Sequence, residues 1–197
     1  GKVGQIKRQG VEVVGSGKNL GYAGGANLGM KSAFANGAEW VVLCNQDLVA
    51  AKAGVEAFVA TLKASPAGIA GPFAGGLDPN RMTTIIPSVR ADYITGSCIA
   101  IHKEVYESLG NFYEPYFLYY EEVDYCVRAK RAGFPITHLS VDGITHEESV
   151  TLGNDSLAHQ YYLSRNHLLF VERLALRQAQ CYEFIRMPFT IFEHISR

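Results

Sequence analysis

The stretch WVVLCNQDLVA (residues 40–50) is apolar without interruption for five residues and then turns abruptly polar. A strand with one wet face alternates apolar and polar residues. An unbroken apolar run instead predicts a central strand of a sheet covered on both sides. Further short runs, VEVVGSG (11–17), GIAGPF (68–73) and YITGSCIAIH (93–102), read as additional strands bounded by glycines. Helical patterns lie between them. NLGYAGGANLGMKSAFANGAEW (19–40) opens as a Gly-rich loop, becomes helical near Ala26 and stops at Asn36-Gly37. AKAGVEAFVATLKAS (51–65) sets Val55, Phe58, Val59 and Leu62 on one face and ends before Pro66. KEVYESLG (103–110) is a short helix closed by Gly110, and residues 118–132 form a helix stopped by Gly133. PITHLSVDGITHEES (135–149) holds two strand-like runs, and from Ser156 onward the chain is mostly helical, with a break expected at Pro188. Strands alternating with helices predict an α/β domain with a largely parallel sheet.

The chain has 197 residues, enough to bury a sizeable core. Its 18 basic and 19 acidic side chains nearly cancel, so bulk charge gives no reason to expect nucleic-acid binding. Specificity must come from local placement. Cys44, Cys98, Cys126 and Cys181 are scattered without a CxxC spacing. That argues against structural zinc and for buried free thiols in a reducing compartment.

The densest chemistry lies in FLYYEEVDYCVRAKRAGF (117–134), where Glu121, Glu122 and Asp124 sit among Tyr119, Tyr120 and Tyr125. Carboxylates are rarely buried unless paired or bound to metal. On a helix Glu121 and Asp124 share a face, and Asp124 and Arg128 form an acid-then-base pair. By itself this pattern also fits a solvated amphipathic helix whose charges suit its dipole. The aromatic loop before it places the acids at a loop-to-helix junction, where sites are common. Asp47 follows an apolar strand, the end at which open α/β sheets gather ligands, and an Asp there either holds a divalent cation or caps the next helix. His146, after another short strand, is either a structural hydrogen-bonding group or a metal ligand beside Asp47; Glu147 and Glu148 read as solvated. The glycines of residues 19–29 match neither a dinucleotide nor a P-loop fingerprint. They permit positive φ and tight packing, and the helix start behind them can meet phosphate.

In chain order, NLGYAGGANLG (19–29), LCNQDLV (43–49), TGSCIAIHKEVYESLGNFYEPYFLYYEEVDYCVRAKRAGF (95–134) and ITHEES (144–149) with YYLSRNHLLF (161–170) resemble the motifs of family 2 glycosyltransferases, inverting enzymes of GT-A fold. The rhamnosyltransferase and galactofuranosyltransferase type is the nearest subset. The likeness spans about residues 11–172. It implies a GT-A, Rossmann-like fold with a mostly parallel central sheet, lacking its first β-α-β unit, over residues 1–155, and a helical extension over 156–197. It implies a cytoplasmic transferase, open to contact with the inner face of the membrane. Such an enzyme moves sugar from a nucleotide-sugar donor to a glycan or lipid-linked acceptor, aided by divalent Mg or Mn. A decayed, non-catalytic carbohydrate-binding scaffold is the alternative.

The resemblance assigns roles position by position. Glu122 stands at the general base and Asp124 at the second acid of that motif. Asp47 and His146 stand at metal ligands, with Asn45 beside the donor diphosphate. Asn19, Gly21 and Asn27 border the donor pocket, and Arg165 and Asn166 reach the diphosphate or brace the site. Two positions depart from the pattern: Glu122 replaces an Asp, and Tyr113 replaces the Asp of F-D-E. The amphipathic C-terminal stretch is read as packing on the core, forming a homo-oligomer or touching a membrane surface.

Overall fold

The computed structural model describes residues 11–85, 90–146 and 156–195; Glu147 and Glu148, discussed above, lie outside them. The central sheet has four strands in the order β1 (Trp40–Cys44), β7 (Cys98–His102), β3 (Ile69–Gly71) and β8 (Ile136–His138). β7 runs antiparallel to both β1 and β3, while β3 and β8 are parallel. Three of the four strands therefore share a direction, but two of the three pairings are antiparallel. This corrects the expectation of a largely parallel sheet. The inserted β7 separates strands that would otherwise pair in parallel.

The two covered faces follow from alternation along the strands. Ile99 and Ile101 of β7, Ile69 of β3 and Val41 of β1 enter the larger core with Met30, Phe34, Val105, Phe112, Val123 and Phe170. Cys98, Ala100 and Ala70 turn the other way, onto Phe58, Leu62, Leu139 and Ile144. Successive strand side chains face opposite sides, so one apolar run serves two cores. β7 and its neighbour β3 are buried along their whole length. β1, read above as central, ends the sheet among the described residues, with Val42 37% exposed.

α1 (Gly21–Ala35) starts five residues before the expected point and runs through its glycines. The expected strand at residues 11–17 has no regular structure, and Val11, Val13 and Val14 are exposed, since no described strand lies beside them. YITGSCIAIH divides into β6 (Tyr93–Ile94) and β7 at the turn Thr95–Ser97. α2 (Lys52–Ala64) buries Gly54, Phe58 and Leu62, whereas Val55 and Val59 face outward. A Cβ on Gly54 would lie 2.7 Å from the Asp142 carbonyl oxygen. Glycine there lets the turn before β9 (Ile144–His146) close on the helix, and Ala51 N–H donates to the Gly143 carbonyl at 2.7 Å. β9 then pairs with β2 (Leu48–Ala50). β4 (Ala74–Leu77) pairs with β5 (Thr84–Ile85) and β6 in a small antiparallel sheet. α3 (Lys103–Leu109) and α4 (Glu121–Arg131) cover the larger core, and α5 (Leu157–Leu174) contributes buried Phe170 to it. α6 (Arg177–Ile195) follows a break at Ala175-Leu176 and continues through Pro188, where the break was expected.

Candidate active site

The loop into α4 is built from backbone that side-chain-bearing residues seldom adopt. Phe117, Tyr119 and Tyr120 have φ of 65°, 69° and 74°. Each such residue costs on the order of 1–3 kcal/mol and persists only where its surroundings hold it. Two helices hold it here. From α5, the Asn166 amide donates to the carbonyl oxygens of Tyr116, Leu118 and Tyr119 at 2.9, 2.7 and 2.8 Å. Tyr162 stacks on Phe117 with centroids 5.4 Å apart, and Phe170 lies 5.5 Å from the Tyr120 ring. From α1, Ala23 N–H donates to the Phe117 carbonyl at 3.2 Å. Gly21, at φ 68°, allows this approach, because a Cβ there would lie 2.3 Å from that same oxygen. The loop thus delivers Glu121 and Glu122 to the first turn of α4 in a fixed orientation.

These two acids share an unusual environment. Glu121 is 3% exposed, Glu122 is partly buried, and Oε2 of each lies buried without a hydrogen-bond partner. Burial pushes the Glu121 carboxyl well above the usual range, and the charge of Glu122 adds to the shift. Burial also raises Glu122, but the backbone amides of Glu122, Gly96 and Val123 favour its charged form. Two adjacent acids with unequal support titrate apart. Glu122 is the one that ionises first, and Glu121 then holds its proton against that charge. Tyr22 closes this corner. Its hydroxyl donates to the Gly96 carbonyl at 2.6 Å, and its ionisation is opposed by burial first and then by Glu122 and Glu121.

Asp47 and His146 come together from opposite ends of the chain. β2 follows Asp47 and pairs with β9, with Leu48 in register with His146. His146 Nε2 sits 3.2 Å from Asp47 Oδ1. Two ligands at about 2.1 Å from one cation, at tetrahedral or octahedral angles, would stand roughly 3.0–3.4 Å apart. The pair therefore fits two adjacent positions around a divalent ion. No group of three or more His, Cys, Asp or Glu side chains suited to a metal occurs among the described residues. Asn45 connects this pair to the acid helix. Its N–H donates to the Ser97 carbonyl at 3.0 Å, and Gly96, the next residue back, supplies the amide near Glu122.

The other expected site residues have visible structural employment. Asp124 is completely buried, and both its oxygens are engaged: Arg128 Nε donates to Oδ1 at 2.6 Å, while Arg173 Nε and the Tyr116 hydroxyl donate to Oδ2 at 3.2 and 3.1 Å. Asn27 is 4% exposed and clamps the chain at Phe112, accepting from its N–H at 2.8 Å and donating to its carbonyl at 3.0 Å. Arg165 donates to the Pro115 carbonyl and to Asn166 Oδ1, both at 2.7 Å. Asn19 Oδ1 accepts from Gly21 N–H at 2.9 Å. Asn19 and Gly21 also line a shallow cleft of about 220 Å³ with Ser16, Lys18 and Gly25; Asn27 is outside it. Tyr22 and Gly96 were not singled out from sequence, and Glu121 was noted there only as a neighbour of Asp124 on the helix, with no role in the site. Tyr22 and Gly96 do lie in the quoted motifs, but an aromatic and a glycine carry no titration signal. The cysteines also differ from expectation, since Cys44 and Cys181 are exposed.

No family model matches the chain. It is 27% identical over 182 residues to the low-salt glycan biosynthesis hexosyltransferase Agl10 of Haloferax volcanii, covering 81% of this chain and 59% of that protein. An uncharacterized protein of Mycobacterium bovis is 25% identical over 173 residues, covering 81% of this chain and 66% of its own. The N-acetylglucosaminyl-diphospho-decaprenol L-rhamnosyltransferase of Mycobacterium tuberculosis is 29% identical over 80 residues, covering 40% of this chain and 26% of that enzyme. The chain thus spans less than two thirds of the length of these relatives. No helix among the described residues is long and apolar enough to cross a membrane. Across four-fifths of its length the chain is similar to a protein named as a sugar transferase.

Proposed function

We propose that this chain is an inverting glycosyltransferase of GT-A type. It moves a sugar from a nucleotide-diphosphate donor to a hydroxyl group of a glycan or lipid-linked acceptor. The observation that carries the reading is the Glu121–Glu122 pair: two adjacent acids at one helix start, each with a buried Oε2 that has no hydrogen-bond partner, with burial raising both and backbone amides favouring the charged form of Glu122. Named relatives act in glycan biosynthesis and on a diphospho-decaprenol-linked sugar, which supports the substrate class.

Glu122 accepts the acceptor hydroxyl's proton as that oxygen attacks the anomeric carbon. The bond to the diphosphate breaks on the opposite side, its electron pair passing to the phosphate oxygen, and the configuration inverts. Glu121, protonated beside it, keeps a second negative charge from crowding the base. Tyr22 positions the Gly96 peptide that supports Glu122. Asp47 and His146 would hold a divalent cation, Mg or Mn, which when bound supplies electrostatic stabilisation of the leaving diphosphate. Asn45, Asn19 and Gly21 border the donor side. Asp124, Asn27, Arg165 and Asn166 hold the aromatic loop and so aim the base.

Glu122→Gln tests the reading directly. Removal of a general base lowers turnover by about 10²–10⁴-fold. Sugar transfer is expected to fall by that amount while donor affinity, read by calorimetry, stays near parental. Transfer at the parental rate would exclude Glu122 as the base.

A further inference from the structure

The sheet sets two cysteines face to face. Cys44 ends β1, Cys98 begins β7, and they are register partners in an antiparallel pair. The neighbouring hydrogen bond runs from Asn45 N–H to the Ser97 carbonyl. That pattern makes Cys44–Cys98 a non-hydrogen-bonded pair, the kind whose Cα atoms approach to about 4.5 Å. A disulfide spans Cα separations of roughly 4.4–6.8 Å. Both side chains share a face of the sheet, and their sulfurs are 3.9 Å apart. Cys44 is exposed and reachable, whereas Cys98 is 1% exposed. The hydrogen-bonded contact with Cys98 pulls Cys44 down to about 7, against the effect of burial, while Cys44 and burial push Cys98 up. The reachable sulfur is thus the readier of the two to ionise to the reactive thiolate, with a partner thiol directly behind it.

We propose that Cys44 and Cys98 form a reversible disulfide, made by hydroperoxide oxidation, that reports the redox state of the surroundings to the adjacent site. The Cys44 thiolate attacks the peroxide, the O–O bond breaks, and the alcohol or water leaves, producing a Cys44 sulfenic acid. The Cys98 sulfur then attacks the Cys44 sulfur, and hydroxide departs with the Cys98 proton as water. Two thiols and one hydroperoxide give one disulfide, one alcohol or water, and one further water. Bond formation draws the sulfurs from 3.9 Å to about 2.05 Å. Asn45 follows Cys44 directly and Asp47 stands three residues beyond it, while Ser97 and Gly96 immediately precede Cys98. A displacement of about 1 Å at reacting groups can cost about 100-fold in rate. The effect on transfer rests on the function proposed above; disulfide formation does not.

The test treats the reduced chain with one equivalent of hydrogen peroxide at neutral pH. Thiols are counted after denaturation, and cross-linked peptides are located by mass spectrometry. The four thiols of the chain are expected to fall to two, with a Cys44–Cys98 peptide that dithiothreitol resolves. Cys44→Ser is expected to give no intramolecular disulfide with Cys98, and Cys98→Ala to oxidise at Cys44 without cross-linking. Four surviving thiols, or Cys44 driven to sulfinic acid beside a free Cys98, would overturn the disulfide. Oxidation is further expected to lower sugar transfer at least tenfold in the parent, reversibly, and to leave Cys44→Ser unaffected. A disulfide that forms without any loss of transfer overturns the coupling. A reduced chain that transfers no sugar counts against the proposed function, and the thiol count still decides the disulfide.

Discussion

Replacing Asp124 by Asn separates a supporting role from a chemical one. The substitution keeps the shape of the side chain and removes its charge. Asp124 devotes one oxygen to Arg128 and the other to Arg173, so an amide cannot serve both. Whichever way the Asn is turned, its NH2 group faces a guanidinium whose Nε–H has lost its acceptor. Breaking one partner out of a buried ion pair costs roughly 3–5 kcal/mol. Here the arginine side chains are 20% and 29% exposed, so water recovers part of the loss and about 2–3 kcal/mol is the better expectation. Arg128 also donates to the carbonyls of Leu109 and Asn111, and Arg173 lies 3.5 Å over the Tyr113 ring. The strain therefore reaches the aromatic loop before it reaches the acids. Against a total stability of about 5–15 kcal/mol the loss is large. It corresponds to a midpoint lower by about 5–10 °C for a chain of this size. Urea unfolding followed by circular dichroism measures it, and transfer assayed well below the midpoint reports on chemistry. A loss under about 0.5 kcal/mol, on a scale where ordinary surface changes lie, would refute the bracing role. So would transfer abolished at parental stability, which would make Asp124 part of the reaction.

Four further outcomes follow from the geometry. Glu121 titrates higher in the fold than in the unfolded chain, so between those two values the folded state binds more protons and stability falls as pH rises. Glu121→Gln is expected to remove that decline, seen as a higher urea midpoint at pH 8 than the parent with little difference at pH 4; an unchanged pH slope would refute the burial effect. The acid limb of transfer against pH is expected above the ordinary carboxylate range, because burial raises Glu122 and the base must be ionised; its absence from a full pH–rate profile would contradict the assignment. Gly21→Ala meets both a left-handed backbone and the Phe117 carbonyl, and is expected to destabilise by about 2–4 kcal/mol in urea unfolding; a cost under 1 kcal/mol would mean that the α1–loop contact yields easily. His146→Ala is expected to weaken manganese binding at least tenfold in calorimetry, and equal affinity would remove His146 from the ligand set.

Much of the layered α/β design was legible in runs of apolar residues. The sheet direction was not, because strand direction depends on partners far along the chain. WVVLCNQDLVA reads as enclosed on both faces, and its side chains do alternate between two cores, yet β7 takes the more buried position. The glycines of residues 19–29 suggested a loop, since glycine weakens an isolated helix. Contact with the Phe117 loop and the larger core outweighs that preference, and buried Ala23, Asn27 and Met30 hold the helix in place. The union of Asp47 with His146 was one of two readings open from strand-end position, and motif resemblance favoured it. What brings them together is the register of β2 on β9, which no local pattern encodes.

The motif order hid a division of labour among similar residue types. Asn27 and Asn166 stand in motifs of the resemblance just as Asn45 and Asp47 do, yet both are spent on backbone carbonyls or amides of one loop. That loop contains three positive-φ aromatic residues and ends at the two acids. A residue type that recurs in a motif can thus mark the need to hold a strained connection as readily as the need to touch a substrate. Strain of this kind relaxes if its supports are removed, and relaxation would move Glu122 relative to Gly96. The motifs then describe one mechanical unit: α1 and α5 clamp the loop, the loop sets the acid helix, and the Thr95–Ser97 turn links it to the strand bearing Asn45. On this view the distant supporting positions are under the same geometric demand as the base itself.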